Sequence, residues 1–343
     1  MGKSGEAELH RANSFDQLRL FAALLVLAGH SYPLTMNIAP TFLGRSLHTL
    51  GLEIFFAISG YLVAESIARD PHPLRFLAKR ALRIFPALWV ATAILLIFGL
   101  TITNLRPIDY LQSTQTTSFL KNLVLDIQHA LPGVLVDNPY GPAINGSWWS
   151  LPFEVMLYLL LLLCMFIGRR FGIFLIIAIY AALTVLQQSG VSNGRLNLFL
   201  TVGGFFVAGA ALSALKRTAP PNALVALLLL LIAFLLRNEM QNWYMPALLA
   251  YCVVSFGLMA DRMPIVARWL GDPSYGTYLY AFGAQQAVIA ITPGIGPLLV
   301  TLLSAPIAVL LGVLSWRFVE RPVLGLKPRR PVGRPQVVAA QPS

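Results

Sequence analysis

Long apolar runs, separated by short polar connections, follow one another along almost the whole chain. About ten of these runs are close to the length that crosses a hydrocarbon core of about 30 Å. They lie at 17–34, 48–67, 85–103, 149–167, 171–187, 197–215, 222–236, 243–260, 275–292 and 297–317. A segment surrounded by lipid must satisfy its own backbone groups, so each run is expected to be a helix. The pattern predicts an all-α, polytopic integral membrane protein with about ten transmembrane helices.

Composition agrees with this pattern. Of the 343 residues 57% are hydrophobic and only 11% are charged, whereas an ordinary soluble domain carries about 25% charged residues. The spans use nearly all of the length, which predicts one transmembrane domain over residues 1–322. Residues 323–343 are basic and rich in proline, and we expect a disordered cytoplasmic tail there.

The net charge of +11 is distributed unevenly between the connections. If the N-terminus is cytoplasmic, most lysines and arginines fall on the inside, as membrane proteins prefer. This predicts that both termini and the basic connection 69–84 are cytoplasmic, and that the long loop 104–147 is outside. Membrane lipid is then an expected partner. Nucleic acid is not expected, because no segment offers the basic groove with exposed aromatics that it would require.

The first span carries Arg19 and His30, two ionisable side chains in an otherwise apolar run. Eleven residues are about three helical turns, so both side chains lie on one face, about 16 Å apart along the axis. Ionisable groups inside a span normally face a cavity or the bundle interior. The alternatives are that Arg19 snorkels to lipid phosphates and that His30 is a hydrogen-bonded packing residue.

Two carboxylates are expected at the depth of His30. Glu53 lies near the outer end of the second span, where it could orient the His30 ring as a general base requires. Glu154 lies in the outer half of the fourth span, with Tyr158 on the same helical face. We therefore expect His30, Glu53 and Glu154 to converge. Trp148 and Trp149, just before Glu154, also suit a membrane interface.

The inner, cytoplasmic end of the bundle is expected to be basic. Lys79, Arg80 and Arg83 precede the third span, and Arg19 lies near the same face; together they could bind phosphates. The alternative is that these residues only reflect the general preference of membrane proteins for lysine and arginine on the cytoplasmic side. Ser59, next to Gly60, either permits close helix packing or donates a hydrogen bond to a substrate. The two cysteines offer no disulfide framework and no metal-ligand spacing, so we expect no metal site. We also expect no bound cofactor.

These motifs, in this order, resemble the acyltransferase family 3 membrane proteins over nearly the whole chain. The family has an Arg or Lys, ten residues and then a His in its first span, as Arg19 and His30 do here. Its other elements match the second span, the basic segment, the Trp-Ser-Leu element and the closing Glu-x-Pro. The matching residues are Gly51, Glu53, Phe55, Phe56, Ser59, Gly60, Arg80, Arg83, Ile84, Pro86, Trp149, Ser150, Leu151, Glu154, Glu320 and Pro322. Where the family often has a histidine, this chain has Ala281, which gives His30 more weight.

The resemblance implies a membrane O-acyltransferase of a bacterial-type inner (cytoplasmic) membrane. It would move an acyl group, most commonly acetyl, from cytoplasmic acyl-CoA to a sugar hydroxyl of an exopolysaccharide or lipopolysaccharide. The expected catalytic residues are His30, Glu53 and Glu154. The donor would contact Arg19, Lys79, Arg80, Arg83 and Ser59, and the acceptor Trp148, Trp149, Ser150 and Tyr158.

Two alternatives remain open from the sequence, one for the function and one for the mechanism. A transporter or flippase of a lipid-linked sugar could use the intramembrane histidine and glutamates as a proton relay. An acyltransferase could also form a covalent acyl-enzyme on His30 or Ser59 before transfer.

Overall fold

The structure is almost entirely helical. It is a computed structural model that describes residues 13–190, 193–216, 218, 220–235, 244–259 and 271–328. Within these residues the only sheet is a short antiparallel hairpin of β1 (Thr41–Phe42) and β2 (Arg45–Ser46). The predicted all-α class is confirmed.

Each predicted span overlaps one long helix. The long helices are α1 (Asn13–Leu34), α2 (Leu47–Arg69), α3 (Pro73–Ile102), α6 (Leu151–Met165), α7 (Arg169–Gln188), α8 (Gly194–Leu215), α9 (Ala223–Leu235), α10 (Met245–Leu258), α11 (Ser274–Ile291) and α12 (Pro297–Ser315). The shorter elements are α4 (Pro107–Gln112), α5 (Thr114–Phe119), 3₁₀ turns at Leu120–Val124 and Trp148–Ser150, a π-helical turn at Trp316–Glu320, and α13 (Arg321–Leu324).

Six of the described helices are long and apolar enough to cross a membrane. They are α2, α3, α6 with the turn before it, α7, α8, and α12 with its C-terminal extension; α9 and α10 are apolar but shorter. This supports an integral membrane protein. The count of about ten spans and the cytoplasmic position of both termini stay predictions, and residues 1–12 and 329–343 lie outside the described residues.

Helix α2 is the centre of the bundle. In its most apolar stretch 78% of the residues are buried, against 17% in α7. α2 packs mainly on α8 and α1, and α1 also packs on α11. Gly60 touches the backbone of Phe206 on α8, so any side chain there would collide. Small residues allow this close approach of two helices.

The basic connection predicted at 69–84 is mostly helix. α3 begins at Pro73, and the His72 side chain accepts a hydrogen bond from the backbone N–H of Arg75. Proline suits the first helical turn because its missing N–H would have no partner there. The cations of this segment stand at helical spacing in the sequence, and they lie on α3, which begins twelve residues before the predicted span at 85–103.

The end of the long loop 104–147 enters the bundle along α11. The Gln286 side chain donates to the carbonyls of Gly141 (3.1 Å) and Ala143 (2.8 Å), and Asn138 donates to the Gln286 side chain (2.8 Å). Trp148 donates to the carbonyl of Leu279 (3.0 Å), which lies about two turns before Gln286 on α11. Non-helical backbone is tolerated inside a membrane protein only where protein satisfies its polar groups. We call residues 138–150 the re-entrant segment.

Candidate functional site

A cavity of about 500 Å³ lies between α1, α2, α3, α6 and the start of α11. It is at the end of the bundle that carries Arg19, which we call the Arg19 end; the opposite end of α1 is the His30 end. Its polar lining residues are Asp16, Arg19, Ser59, Ser66, Arg69, Lys79, Arg80, Arg83, Ser150, Glu154, Tyr158, Asp272, Ser274, Tyr275, Tyr278 and Lys327. The cavity therefore brings together all five residues predicted to bind the donor.

Most of the predicted donor-binding cations have carboxylate partners. Arg83 forms an ion pair with Asp272 and another with Glu320 (3.1 Å). Arg19 lies 3.7 Å from Asp272 and 3.5 Å from Asp16. Asp272 also accepts a hydrogen bond from the Ser274 hydroxyl (2.5 Å). Asp272 is thus the residue that ties α1 to α3 at this end.

Sequence reasoning missed Asp272. Burial tends to raise the pKa of this carboxyl, but the positive charges of Arg83 and Arg19 hold its pKa below the usual value. A carboxylate two residues before a helix, next to a proline, is also an ordinary helix-start signal, so its spacing alone did not indicate a partner for Arg19.

A second ion-pair group lies beside the cavity. Asp70 accepts hydrogen bonds from Arg75 (2.6 Å) and Lys79 (2.8 Å). These two donors hold the pKa of Asp70 well below its usual range. Lys79 is thus paired as well, through the segment between α2 and α3.

Arg80 differs from the other cations predicted to bind the donor. Its guanidinium lies over the rings of Phe76 (5.8 Å) and Tyr158 (5.7 Å). Among the described residues no carboxylate forms an ion pair with it, and its Nε is buried without a hydrogen-bond partner. A guanidinium held by ring faces keeps its hydrogen-bond donors available for an anion.

Glu154 also lines this cavity. It accepts hydrogen bonds from the Ser59 hydroxyl (2.9 Å) and from the Tyr158 hydroxyl. Ser150, one turn earlier, bonds the Tyr278 hydroxyl (2.8 Å). The structure therefore places Glu154 in the same cavity as the residues predicted to bind the donor. Its predicted convergence with His30 and Glu53 is not what the structure shows, because the re-entrant segment starts α6 deep in the bundle.

His30 lies at the other end of α1. Its Nδ1 is 2.8 Å from the Val26 carbonyl, which can only accept, so this nitrogen carries the hydrogen. The neutral ring then has a lone pair on Nε2, as a general base needs. The ring packs on His48, with centroids 4.8 Å apart, and on the edge of Phe282 at 5.6 Å.

Glu53 does not orient His30. It is buried and forms an ion pair with Arg45 of β2. The Arg45 guanidinium also lies over the Phe205 ring at 5.7 Å. A buried carboxylate needs a cation, and the hairpin before α2 folds back to supply one. The predicted contact between His30 and Glu53 is wrong because the sequence does not reveal this fold-back.

The two tryptophans occupy different surroundings. Trp148 has no exposed surface and bonds α11 through its indole N–H, so the interface position expected for it is wrong. Trp149 is half-buried and packs on Phe153. Of the residues predicted for the acceptor, Ser150 and Tyr158 line the cavity, whereas the tryptophans do not.

One protein-family model matches this chain. The family model described as an acyltransferase domain matches residues 12–317. The chain is 30% identical to the O-acetyl transferase of Shigella phage Sf6, over 91% of this chain and 96% of the relative.

Two rhizobial proteins are also similar. Nodulation protein 10 of Rhizobium leguminosarum bv. viciae is 26% identical, over 95% of this chain and 97% of its own length. The exopolysaccharide production protein ExoZ of Rhizobium meliloti is 26% identical, over 80% of this chain and 89% of its own length. No solved structure matches the chain significantly.

Proposed function

Because the chain belongs to the acyltransferase domain family, we propose that it is a membrane-bound O-acyltransferase acting on a hydroxyl of an envelope polysaccharide. The name of the Sf6 relative supports acetyl as the transferred group, and the name of ExoZ supports an exopolysaccharide-type acceptor. The observation that carries the proposal is the cavity at the Arg19 end. It gathers cations from α1 and α3, while α1 carries, three turns away from Arg19, the His30 ring, whose Nδ1 bonds the Val26 carbonyl and leaves Nε2 for proton transfer when the ring is neutral.

The proposed donor is acyl-CoA, a co-substrate supplied from the cytoplasm. Its phosphates would bind at the cationic cavity, where arginine and lysine favour charge-assisted hydrogen bonds. Its flexible pantetheine arm would extend along α1 toward His30, a distance of about 16 Å along the helix axis. No resident cofactor or metal is part of the proposal.

The proposed reaction is direct transfer at the His30 end. The acceptor hydroxyl oxygen attacks the thioester carbonyl carbon while His30 Nε2 takes its proton. The carbon–sulfur bond then breaks, and the CoA thiolate leaves and takes up that proton. The products are an O-acyl ester and free CoA, and His30 returns to its neutral form.

The two glutamates have separate proposed roles. Glu53 would act through Arg45, because their ion pair fixes the hairpin that precedes α2, and α2 presents His48 to His30. Glu154 would shape the donor cavity through Ser59 and Tyr158. Trp148 would hold the re-entrant segment. Ser150 and Tyr158 line the cavity at the Arg19 end, so we assign them to the donor rather than to the acceptor, and of the predicted acceptor residues only Trp149 keeps that proposed role.

The proposed layout has about ten transmembrane helices in the cytoplasmic membrane, with both termini and the Arg19 end inside. Positive charge on the inferred inner connections supports it. The donor would then arrive from the cytoplasm and the acceptor from the other side.

The test is turnover by the purified protein in lipid nanodiscs with acetyl-CoA and a deacetylated bacterial exopolysaccharide. We expect free CoA and polysaccharide O-acetyl groups to form in equal amounts. Release of CoA without polysaccharide esters, or no use of acetyl-CoA, would contradict the proposal.

A further inference from the structure

The cavity contains more positive charge than its own carboxylates balance. Its cationic lining residues in the described structure are Arg19, Arg69, Lys79, Arg80, Arg83 and Lys327. Arg19, Lys79 and Arg83 form ion pairs with Asp272, Asp70 or Glu320. Three of the four cations that the sequence motifs indicate, Arg19, Lys79 and Arg83, are therefore largely neutralised by carboxylates of the protein.

The other cations have no ion pair with a carboxylate among the described residues. Arg80 rests on aromatic rings, and Arg69 donates to the Glu65 carbonyl of its own helix (3.4 Å). Lys327 lies at the cavity mouth, just after α13, where its backbone N–H bonds the Leu324 carbonyl (3.3 Å). Leu324 and Lys327, which follow the last long helix, both line the cavity.

Lys327 is exposed at the edge of the cavity, and its ammonium group lies among other positive charges. Partial burial and the positive charges of Arg83, Arg80, Lys79 and Arg19 lower the pKa of Lys327 to about 8. A cation that faces several others without a carboxylate is stabilised when an anion binds between them. An anion bound in the cavity would relieve this repulsion between Lys327 and the other cations.

We propose that Lys327 and Arg80 together bind a phosphate group of the acyl donor at the cavity mouth. The proposal rests on the proposed function, and it adds a residue from outside the family match, which ends at residue 317. The segment after α13 is then part of the donor site.

Loss of the Lys327 charge gives this site a pH dependence. Lysine is cationic below its pKa, so donor affinity should fall as pH rises through about 8. The carboxylates near this end are already engaged: Arg83 holds Asp272 and Glu320, and Ser59 donates to Glu154. Asp16 lies beside Arg19, and Tyr158 and Tyr275 complete the wall.

The test compares Lys327→Gln with Lys327→Arg, and uses Lys121→Gln on the exposed outer loop as control. We expect Lys327→Gln to raise the KM for acetyl-CoA about tenfold with little change in kcat, as loss of one charged hydrogen bond does. The advantage of acetyl-CoA over S-acetylpantetheine, which lacks the phosphates, should shrink by the same factor. Lys327→Arg should bind acetyl-CoA at pH 7 as the wild type does. Its affinity should not fall between pH 7 and 9, because arginine stays charged there.

Direct binding separates this inference from the proposed function. Calorimetric titration with CoA should show the same tenfold loss for Lys327→Gln and none for Lys121→Gln. Wild-type affinity for CoA in Lys327→Gln would overturn the inference while leaving acyl transfer intact. A wild-type protein that neither binds CoA nor uses acetyl-CoA would overturn both.

Discussion

At the scale of single residues, the ends of α1 have separate chemistry. Arg19 belongs to an ion-pair group around Asp272, whereas the His30 ring bonds the Val26 carbonyl and packs on His48. Anion binding and proton transfer can therefore be tested independently.

Replacing His30 by Ala should lower kcat by about 10²- to 10⁴-fold, the usual contribution of a general base. CoA binding should stay within about twofold, because the cavity lies three turns away. His72→Asn, which keeps a helix-capping side chain, is the matched control. A correctly inserted His30→Ala protein with near-normal turnover would end the general-base proposal.

The Arg45–Glu53 pair should stabilise the fold. Arg45→Met leaves the Glu53 carboxylate buried without its cation, which costs about 3–5 kcal/mol. Adding Glu53→Gln should recover a large part of that loss. Thermal unfolding of both single variants and the double variant measures the coupling, and additive effects would show that the pair is not coupled.

At the scale of elements, the sequence predicts helices better than it predicts what lies between them. Apolar runs located the long helices, and the cation spacing in 69–84 is that of the helix found there. The re-entrant segment was missed because its burial depends on Gln286 and Trp148 contacts to distant residues. Glu53 illustrates the same limit, since Arg45 reaches it only after the hairpin forms.

Replacing Gln286 by Leu should loosen the re-entrant segment. The carbonyls of Gly141 and Ala143 would lose a buried donor, at about 1–3 kcal/mol for each unsatisfied group. Hydrogen exchange should speed up in residues 138–150 and change little in α7. Gln188→Leu, at the exposed end of α7, is the control; unchanged exchange in the segment would show that Gln286 does not hold it.

At the scale of the whole molecule, α1 connects a cationic cavity at one end of the bundle to the His30 end. With the cavity facing the cytoplasm, one buried route would join donor and acceptor across the membrane. Arg83 is a poor probe of this layout, because its removal also leaves Glu320 without its cation and Asp272 with only the longer contact to Arg19 (3.7 Å). Arg80 and Lys327 are better probes of the donor end.

The most direct measurement separates the two substrates across a membrane. Oriented vesicles carrying the protein would receive acetyl-CoA on one side and deacetylated exopolysaccharide on the other, with no ion gradient. We predict O-acetylated polysaccharide only when acetyl-CoA is on the side of the Arg19 end and the polysaccharide is on the opposite side. Turnover only with both substrates on the Arg19 side would contradict transfer through the bundle.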